Sequence, residues 1–133
     1  MENLRIQIPS ILENIRIVES FIDNSRDDYS INDDVYGNIL VAVTESVNNA
    51  ILHGNGLDKS KNVTLSLEPM EQQIKFIVSD EGPGFDFNDL PDPTAPENIE
   101  KPNGRGVFLI RHLADQVNFS NNGSTVELTF FLG

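Results

Sequence analysis

Five segments of the chain place an apolar residue at every second position, and this alternation restricts the fold more than any other feature. Successive side chains of a strand point to opposite faces, so each segment is predicted to be a strand with one buried face. Two pairs of segments lie close enough in sequence to form antiparallel hairpins, across residues 63–78 and 117–130. The alternating apolar residues are Leu4, Ile6 and Ile8; Val63, Leu65 and Leu67; Ile74, Phe76 and Val78; Val117 and Phe119; and Val126, Leu128 and Phe130.

The first predicted helix follows the first strand, which Pro9 ends. Apolar residues recur at intervals of three and four from Ile11 to Ile22, so one side of this helix should pack on the sheet. Ser10 and Glu13 have the spacing of a capping box. Ser10 is therefore predicted to cap this helix.

Two further helices are predicted. Asn32 should cap the second, which runs to His53 and Gly54, where a glycine can take the left-handed conformation that ends helices. The third begins after the sequence Gly-Arg-Gly at residues 104–106. Between the first hairpin and this helix lies a long irregular connection rich in proline, asparagine and acids, which predicts a lid or a disordered loop.

The composition limits the classes of partner. The chain has 133 residues, so we expect a single domain over residues 1–133. Its formal charge of -12 disfavours nucleic acids and anionic membranes and suits a basic protein partner. It has no cysteine, its first residues do not resemble a leader segment, and no stretch is long enough to span a bilayer. We therefore expect a cytoplasmic protein.

Glu45 and Asn49 are four residues apart in the second helix and so share one face of it. Both could line a cleft beside the core, because Asn49 falls at the margin of the apolar arc and Glu45 just outside it. A carboxylate can take a proton from an attacking hydroxyl group, and an amide oxygen suits Mg²⁺. The alternative is an ordinary solvated helix face.

Two glycine-containing motifs follow. Asp80, Gly82 and Gly84 come directly after a strand, where the glycines permit close approach of a ligand and the carboxylate can accept a hydrogen bond from an amino group. Gly104, Arg105 and Gly106 precede a helix, whose free N–H groups and dipole favour an anion. The alternatives are an acidic turn for the first motif and a flexible loop exit for the second.

Three other polar residues bear on the site. Thr125 could add a hydroxyl group to a pocket, or it could simply favour the strand. His53 lies one turn beyond Asn49 and either lines the cleft or interacts with the helix dipole. With His112 as the second histidine and no cysteine, the sequence predicts no zinc site.

Taken in order, these motifs resemble the N, G1, G2 and last boxes of the GHKL ATPases. The resemblance is closest to the RsbW-type anti-sigma-factor serine kinases of bacterial partner-switching systems. It implies an α+β two-layer sandwich of the Bergerat type, in which helices cover one face of a mixed, mostly antiparallel sheet. The motifs that carry the resemblance are Glu45 to Gly54, Asp80 to Asp86, Gly104 to Ile110, and Gly123 to Thr125.

The resemblance also implies a role for each site residue, with ATP and Mg²⁺ as cofactors. Asn49 would bind the Mg²⁺ that bridges the ATP phosphates, and Glu45 would be the general base. Asp80 would hold the adenine amino group, supported by Thr125, while Gly82 and Gly84 would let the base lie close. The phosphates would be wrapped by Gly104, Arg105, Gly106 and Val107.

The partners implied by the resemblance are a STAS-domain antagonist, whose serine is phosphorylated, and a sigma factor. Members of this type are usually homodimers, and the first strand and helix could provide such an interface here. Two other hypotheses stay open at this point. One is an ATP-dependent binding switch of the same fold without kinase activity, and the other is a structural protein without a ligand.

Overall fold

Five antiparallel strands form one sheet, and three helices cover one of its faces. The computed structural model describes residues 3–84 and 105–132. The strand order is β1-β2-β3-β5-β4. The elements are β1 (Leu4–Pro9), a short 3-10 turn (Leu12–Asn14), α1 (Ile15–Asp28), α2 (Asp33–Asn49) with a π-helical turn (Ala50–Gly54), β2 (Asn62–Pro69), β3 (Gln73–Ser79), α3 (Arg105–Leu113), β4 (Gln116–Ser120), a 3-10 turn (Asn121–Gly123) and β5 (Thr125–Phe131).

This architecture confirms the predicted α+β two-layer sandwich and both predicted hairpins. The four ladders between the described strands are all antiparallel, so a mixed sheet is not seen among them. The hairpins dictate this result for β2–β3 and β4–β5. The other two pairings, β1 with β2 and β3 with β5, are antiparallel as well.

The alternating residues form the core as predicted. Leu65 pairs with Val78 and Leu67 with Phe76, which places their side chains on the face covered by helices. Ile22 of α1 is fully buried against this face. Burial of an aliphatic or aromatic side chain contributes about 1.5–3 kcal/mol. The core therefore fixes which face of each strand points towards the helices.

The predicted capping role of Ser10 is wrong. The first short turn is preceded by Ile11, and no side chain caps it. The hydroxyl group of Ser10 instead donates to the carbonyl oxygen of Lys61 at 2.7 Å and accepts from the amide nitrogen of Asn55 at 2.8 Å. Ser10 is buried, so its hydroxyl group is used for contacts between loops rather than at the helix end.

Asn32 caps α2 as predicted, because its side-chain oxygen accepts from the backbone N–H of Val35 at 3.0 Å. The other end of α2 differs from the prediction. The helix widens into the π-helical turn, and the positive φ angles fall on Gly56 (61°) and Leu57 (62°) rather than on Gly54. Gly54 is therefore not a left-handed helix stop, and another cause must account for a glycine there.

No helix within residues 3–84 and 105–132 is long and apolar enough to cross a membrane. The predicted irregular connection lies outside the described residues from Phe85 onwards.

Candidate functional site

A cavity of about 340 Å³ opens where the end of α2, the end of β3, the start of α3 and the β4–β5 turn meet. This volume lies in the range of sites for small molecules. Apolar side chains form much of its wall and a few polar groups converge on it. The lining residues are Ser46, Asn49, Ala50, His53, Gly54, Val78, Asp80, Gly84, Val107, Ile110, Phe119, Gly123, Ser124 and Val126.

Asn49 and Glu45 meet the start of α3 at one side of this cavity. A Cβ atom added to Gly106 would lie 2.5 Å from Nδ2 of Asn49 and 2.9 Å from Oε1 of Glu45. Real Cβ atoms do not approach other groups so closely, so the backbone of α3 packs directly against both side chains. Asn49 lines the cavity, and Glu45 lies one turn earlier, half-buried at its margin. The predicted pair is thus brought together beside a helix N-terminus.

Asp80 lies at another side of the cavity and is held by several contacts. Its backbone N–H donates to the carbonyl oxygen of Ser124 at 2.9 Å. Its Oδ1 accepts from the backbone N–H of Gly82 at 2.8 Å. A Cβ atom on Gly54 would overlap the Asp80 carboxylate. The glycine at position 54 is therefore required by the close approach of Asp80.

Partial burial changes the ionisation of Asp80. Desolvation raises the pKa of its carboxyl group, because the charged form loses contact with water. The N–H group of Gly82 and the positive charge of Lys61 act in the opposite direction without cancelling this effect. Among the described residues, Oδ2 of Asp80 has no hydrogen-bond donor, so it can accept one from a ligand.

Gly82 and Gly84 both lie where a side chain does not fit. A Cβ atom on Gly82 would overlap the carbonyl group of Gly54, and one on Gly84 would overlap the carbonyl group of Asn122. Gly84 also has a φ angle of 85°, which favours glycine. These two residues therefore let the Asp80 turn pack tightly against the neighbouring loops.

Four of the predicted site residues line the cavity, namely Asn49, Asp80, Gly84 and Val107, and Glu45, Gly82 and Gly106 lie next to lining residues. Thr125 pairs with Ser79 on the face of the sheet that the helices leave open, and its Oγ1 lies 3.1 Å from Oγ of Ser79. The cavity is lined at this point by Ser124 instead. Gly104 lies outside the described residues. Arg105 is the first residue of α3.

Sequence reasoning missed several lining residues. Phe119, Val126 and Ile110 resemble ordinary core positions in the sequence, and no local signal separates a cavity wall from a packed core. Gly54 did carry a signal, but a glycine after a helix is more simply explained as a helix stop. His53 lines the cavity, whereas His112 stacks on Phe108 with the ring centres 6.2 Å apart.

The donor set suits a nucleotide with a hard metal ion. Asn49 offers an amide oxygen and Glu45 a carboxylate, which are ligand types that Mg²⁺ accepts while keeping water and phosphate ligands. Among the described residues there is no group of three or more His, Asp or Glu side chains that could hold a metal ion by itself. A metal here would therefore depend on ligands that the nucleotide supplies.

Comparisons with known proteins agree with this geometry. A model of the histidine kinase-like ATPase domain matches residues 8–130. The chain is 27% identical over 136 residues to the serine-protein kinase RsbW of Bacillus subtilis (strain 168), covering 97% of this chain and 85% of that protein. It is 33% identical over 103 residues to the serine-protein kinase RsbW of Staphylococcus aureus (strain bovine RF122 / ET3-1), covering 69% of this chain and 63% of that protein.

A crystal structure of the RsbU and RsbW domains of Rv1364c from Mycobacterium tuberculosis shares the fold. Its TM-score is 0.68 at 14% identity, over 98% of this chain and 32% of that chain. At this identity the likeness concerns the fold alone. The family match spans both hairpins, all three helices and the cavity between them. The chain therefore belongs to the family of histidine kinase-like ATPase domains.

Proposed function

We propose that this chain binds Mg²⁺-ATP and transfers the γ-phosphoryl group to a serine of a STAS-domain antagonist, and that it also acts as an anti-sigma factor. One observation carries the proposal. The cavity joins an adenine-type acceptor, Asp80, to a metal-type ligand, Asn49, at the N-terminus of α3. The similarity to proteins named serine-protein kinase RsbW supports the choice of reaction.

The nucleotide would lie with its base between apolar walls. Val78, Val126 and Ile110 provide these walls, and Asp80 would accept a hydrogen bond from the adenine amino group through Oδ2, to which no described residue donates. Gly82 and Gly84 would support the base by keeping the turn close. Adenine would be preferred, because a base with a carbonyl group at the same position cannot donate to a carboxylate.

The phosphates would lie towards α3. The first N–H groups of a helix have no partner within it and attract an anion together with the helix dipole. Gly106 and Val107 lie in this first turn, and Gly104 and Arg105 would complete the cradle. Asn49 would hold the Mg²⁺ ion, which neutralises phosphate charge when bound.

Glu45 would act as general base. Its carboxylate would take the proton of the substrate serine as the serine oxygen bonds to the γ-phosphorus atom, while the bond to the bridging oxygen breaks and ADP leaves. The half-buried position beside Gly106 places Glu45 close to the proposed phosphate cradle. Phosphoryl transfer depends mainly on positioning and charge neutralisation, which Asn49 with its Mg²⁺ ion and the first turn of α3 would supply.

The proposed partners are a STAS-domain antagonist, a sigma factor and a second copy of the chain. The formal charge of -12 favours basic surfaces on the first two partners. A homodimer could use β1, whose only partner among the described strands is β2, together with α1. Edge strands of this kind can pair with another chain.

The test is transfer of label from γ-labelled ATP to purified STAS-domain proteins from the same genome. We expect Glu45→Ala to lower transfer roughly 10²–10⁴-fold while ATP still binds, because only the proton acceptor is lost. Asn49→Ala should lower both transfer and Mg²⁺-dependent ATP binding. Glu71→Ala, which removes an exposed carboxylate of the turn between β2 and β3, is the matched control and should change neither.

Each outcome separates the hypotheses. Label on one serine that is lost in the first two variants would support the kinase and name its substrate. Unchanged transfer in Glu45→Ala would remove Glu45 from the mechanism. ATP that binds but is never hydrolysed or transferred would favour the binding switch, and a lack of Mg²⁺-dependent ATP binding would overturn the proposed function.

A further inference from the structure

Asn55 is the only buried asparagine among the described residues, and the proposed chemistry gives it no role. It is 4% exposed and follows Gly54, where an added Cβ atom would overlap the Asp80 carboxylate. Its backbone N–H donates to the carbonyl oxygen of Ala50 at 2.8 Å and so ends the π-helical turn. A buried amide is costly unless its donors and acceptor are used. Its partners therefore indicate what it holds in place.

The side-chain oxygen of Asn55 reaches the turn that carries Asp80. Oδ1 accepts from the backbone N–H of Glu81 at 2.7 Å. Because Glu81 is the residue after Asp80, this bond fixes the peptide group on the C-terminal side of Asp80. The bond from the Asp80 N–H group to Ser124 fixes the N-terminal side. Asp80 is thus held by its backbone on both sides.

The side-chain nitrogen of Asn55 is anchored to two other segments. Nδ2 donates to Oγ of Ser10 at 2.8 Å and to the carbonyl oxygen of Asn62 at 3.1 Å. Ser10 is fixed in turn by its bond to Lys61, and the backbone N–H of Asn62 donates to the carboxylate of Glu81. One amide therefore ties the end of β1 and the start of β2 to the Asp80 turn.

We propose that Asn55 is the positioning residue for Asp80 and thereby sets the preference of the site for adenine. The inference rests on the proposed nucleotide site, since it needs Asp80 to contact the base. Asn55 does not line the cavity, so it acts only through the Glu81 peptide group and the adjacent Gly54. A small displacement of Asp80 weakens its bond to the adenine amino group and leaves the phosphate contacts unchanged.

The experiment compares ATP with ITP, which has a carbonyl group in place of the adenine amino group. Dissociation constants for both nucleotides are measured by calorimetry with Mg²⁺ present, and their ratio gives the adenine preference. Partial unfolding weakens the binding of both nucleotides by the same factor and leaves the ratio of their dissociation constants unchanged. The ratio therefore separates positioning from a loss of stability.

We expect Asn55→Ala to lower the preference for ATP about tenfold, which corresponds to the loss of one hydrogen bond. Asn55→Asp keeps an acceptor for the Glu81 N–H but loses the donors to Ser10 and Asn62, so the preference should fall by less than in Asn55→Ala. Ser25→Ala is the matched control for stability. It removes a buried hydroxyl group of α1 that bonds Ile22, and it should leave the ratio unchanged.

An unchanged ratio in Asn55→Ala would overturn the proposal, as would an equal fall in Asn55→Ala and Ser25→Ala. If Asn55→Ala does not fold, Ser10→Ala decides the question, because it removes an acceptor that holds the Asn55 amide. A lower preference in Ser10→Ala supports the role and an unchanged one overturns it. A wild-type protein that binds ATP and ITP equally would overturn the role of Asp80 together with that of Asn55.

Discussion

Strands β3 and β5 pair apolar residues at both ends, but these pairs belong to the core at one end and to the cavity wall at the other. At one end Ile74 pairs with Phe130, and both are buried in a packed core. At the other end Val78 pairs with Val126 on the same face, and both line the cavity. The two pairs differ because the helices close over the first pair and leave a cavity over the second. The same alternation thus produces a closed core at one end of the sheet and a ligand wall at the other.

The two ends also differ in their backbone. The packed end contains regular strands and an edge-to-face contact between Phe76 and Phe130, with ring centres 6.2 Å apart. The cavity end contains the π-helical turn and four glycines whose Cβ atoms would overlap neighbouring groups. We infer that the packed end supplies most of the stability, while the cavity end keeps polar groups in place at some cost in stability.

The largest effect on stability is expected from a substitution at the packed end. Phe130→Ala should lower the free energy of unfolding by about 3–5 kcal/mol, because a fully buried ring leaves a cavity. Urea denaturation followed by circular dichroism measures this change. Nucleotide affinity of the folded protein should stay at the wild-type value, since Phe130 does not line the cavity.

Phe131→Ala is the control for this prediction. Phe131 is 46% exposed and lies on the opposite face of β5, so its loss should change the free energy of unfolding much less. Equal losses in the two variants would contradict the assignment of the core to this end. A fall in nucleotide affinity with Phe130→Ala, measured where the protein stays folded, would show that the two ends are coupled.

A smaller effect is expected from a substitution at the cavity end, which should lower ligand binding rather than stability. In Gly54→Ala the new Cβ atom overlaps the Asp80 carboxylate, and this short side chain can rotate away more easily than a backbone can shift. We expect ATP affinity to fall about tenfold or more while the protein remains folded. Calorimetric titration and thermal unfolding of the same sample measure the two quantities.

Gly37→Ala is the matched control, because it adds the same methyl group to α2 at a point where the described part of the chain places nothing within 4 Å. Alanine favours a helix over glycine, so stability should rise by about 0.4–1 kcal/mol without a change in ATP affinity. If Gly54→Ala binds ATP as the wild type does, the close contact with Asp80 has no bearing on the nucleotide.

The comparison also explains what could be predicted from the sequence. Strands and helices follow from periodic burial, so β1 to β5 and all three helices were predictable, as was the Asn32 cap. The end of α2 was not, because the contacts that place Gly54 and Asn55 join residues far apart in the chain, such as Asp80 and Ser10. Ser10 shows the same limit, since its hydroxyl group bonds the distant Lys61 instead of capping the helix that its local pattern predicts.

Among the site residues, Asn49 and Asp80 carried local signals, whereas the apolar wall carried none. Val126 and Phe130 belong to one alternating run, and only the helices packed above them make one a cavity wall and the other core. Thr125 illustrates the role of side-chain direction. It is adjacent in sequence to the lining residue Ser124, yet the pleat of β5 directs it to the open face beside Ser79.

The smallest expected effect concerns the charge of Asp80 in the unliganded protein. Burial raises the pKa of this carboxyl group in the folded state above its unfolded value. The folded state therefore holds the proton more tightly, and the contribution of Asp80 to stability falls as the pH rises through the folded pKa. Asp80→Asn cannot ionise, so its stability relative to the wild type should increase from about pH 4 to pH 7.

Asp58→Asn provides a control of opposite sign. Hydrogen bonds from Ser60 lower the pKa of Asp58, so the ionised carboxylate stabilises the folded state above the unfolded pKa. Its replacement should make the protein less stable than the wild type as the pH rises, by a small amount because Asp58 is exposed. Urea denaturation across this pH range measures both variants. If the stabilities of both variants relative to the wild type changed in the same direction with pH, the Asp80 carboxylate would not be desolvated. The cavity end would then carry no electrostatic cost that a ligand could offset.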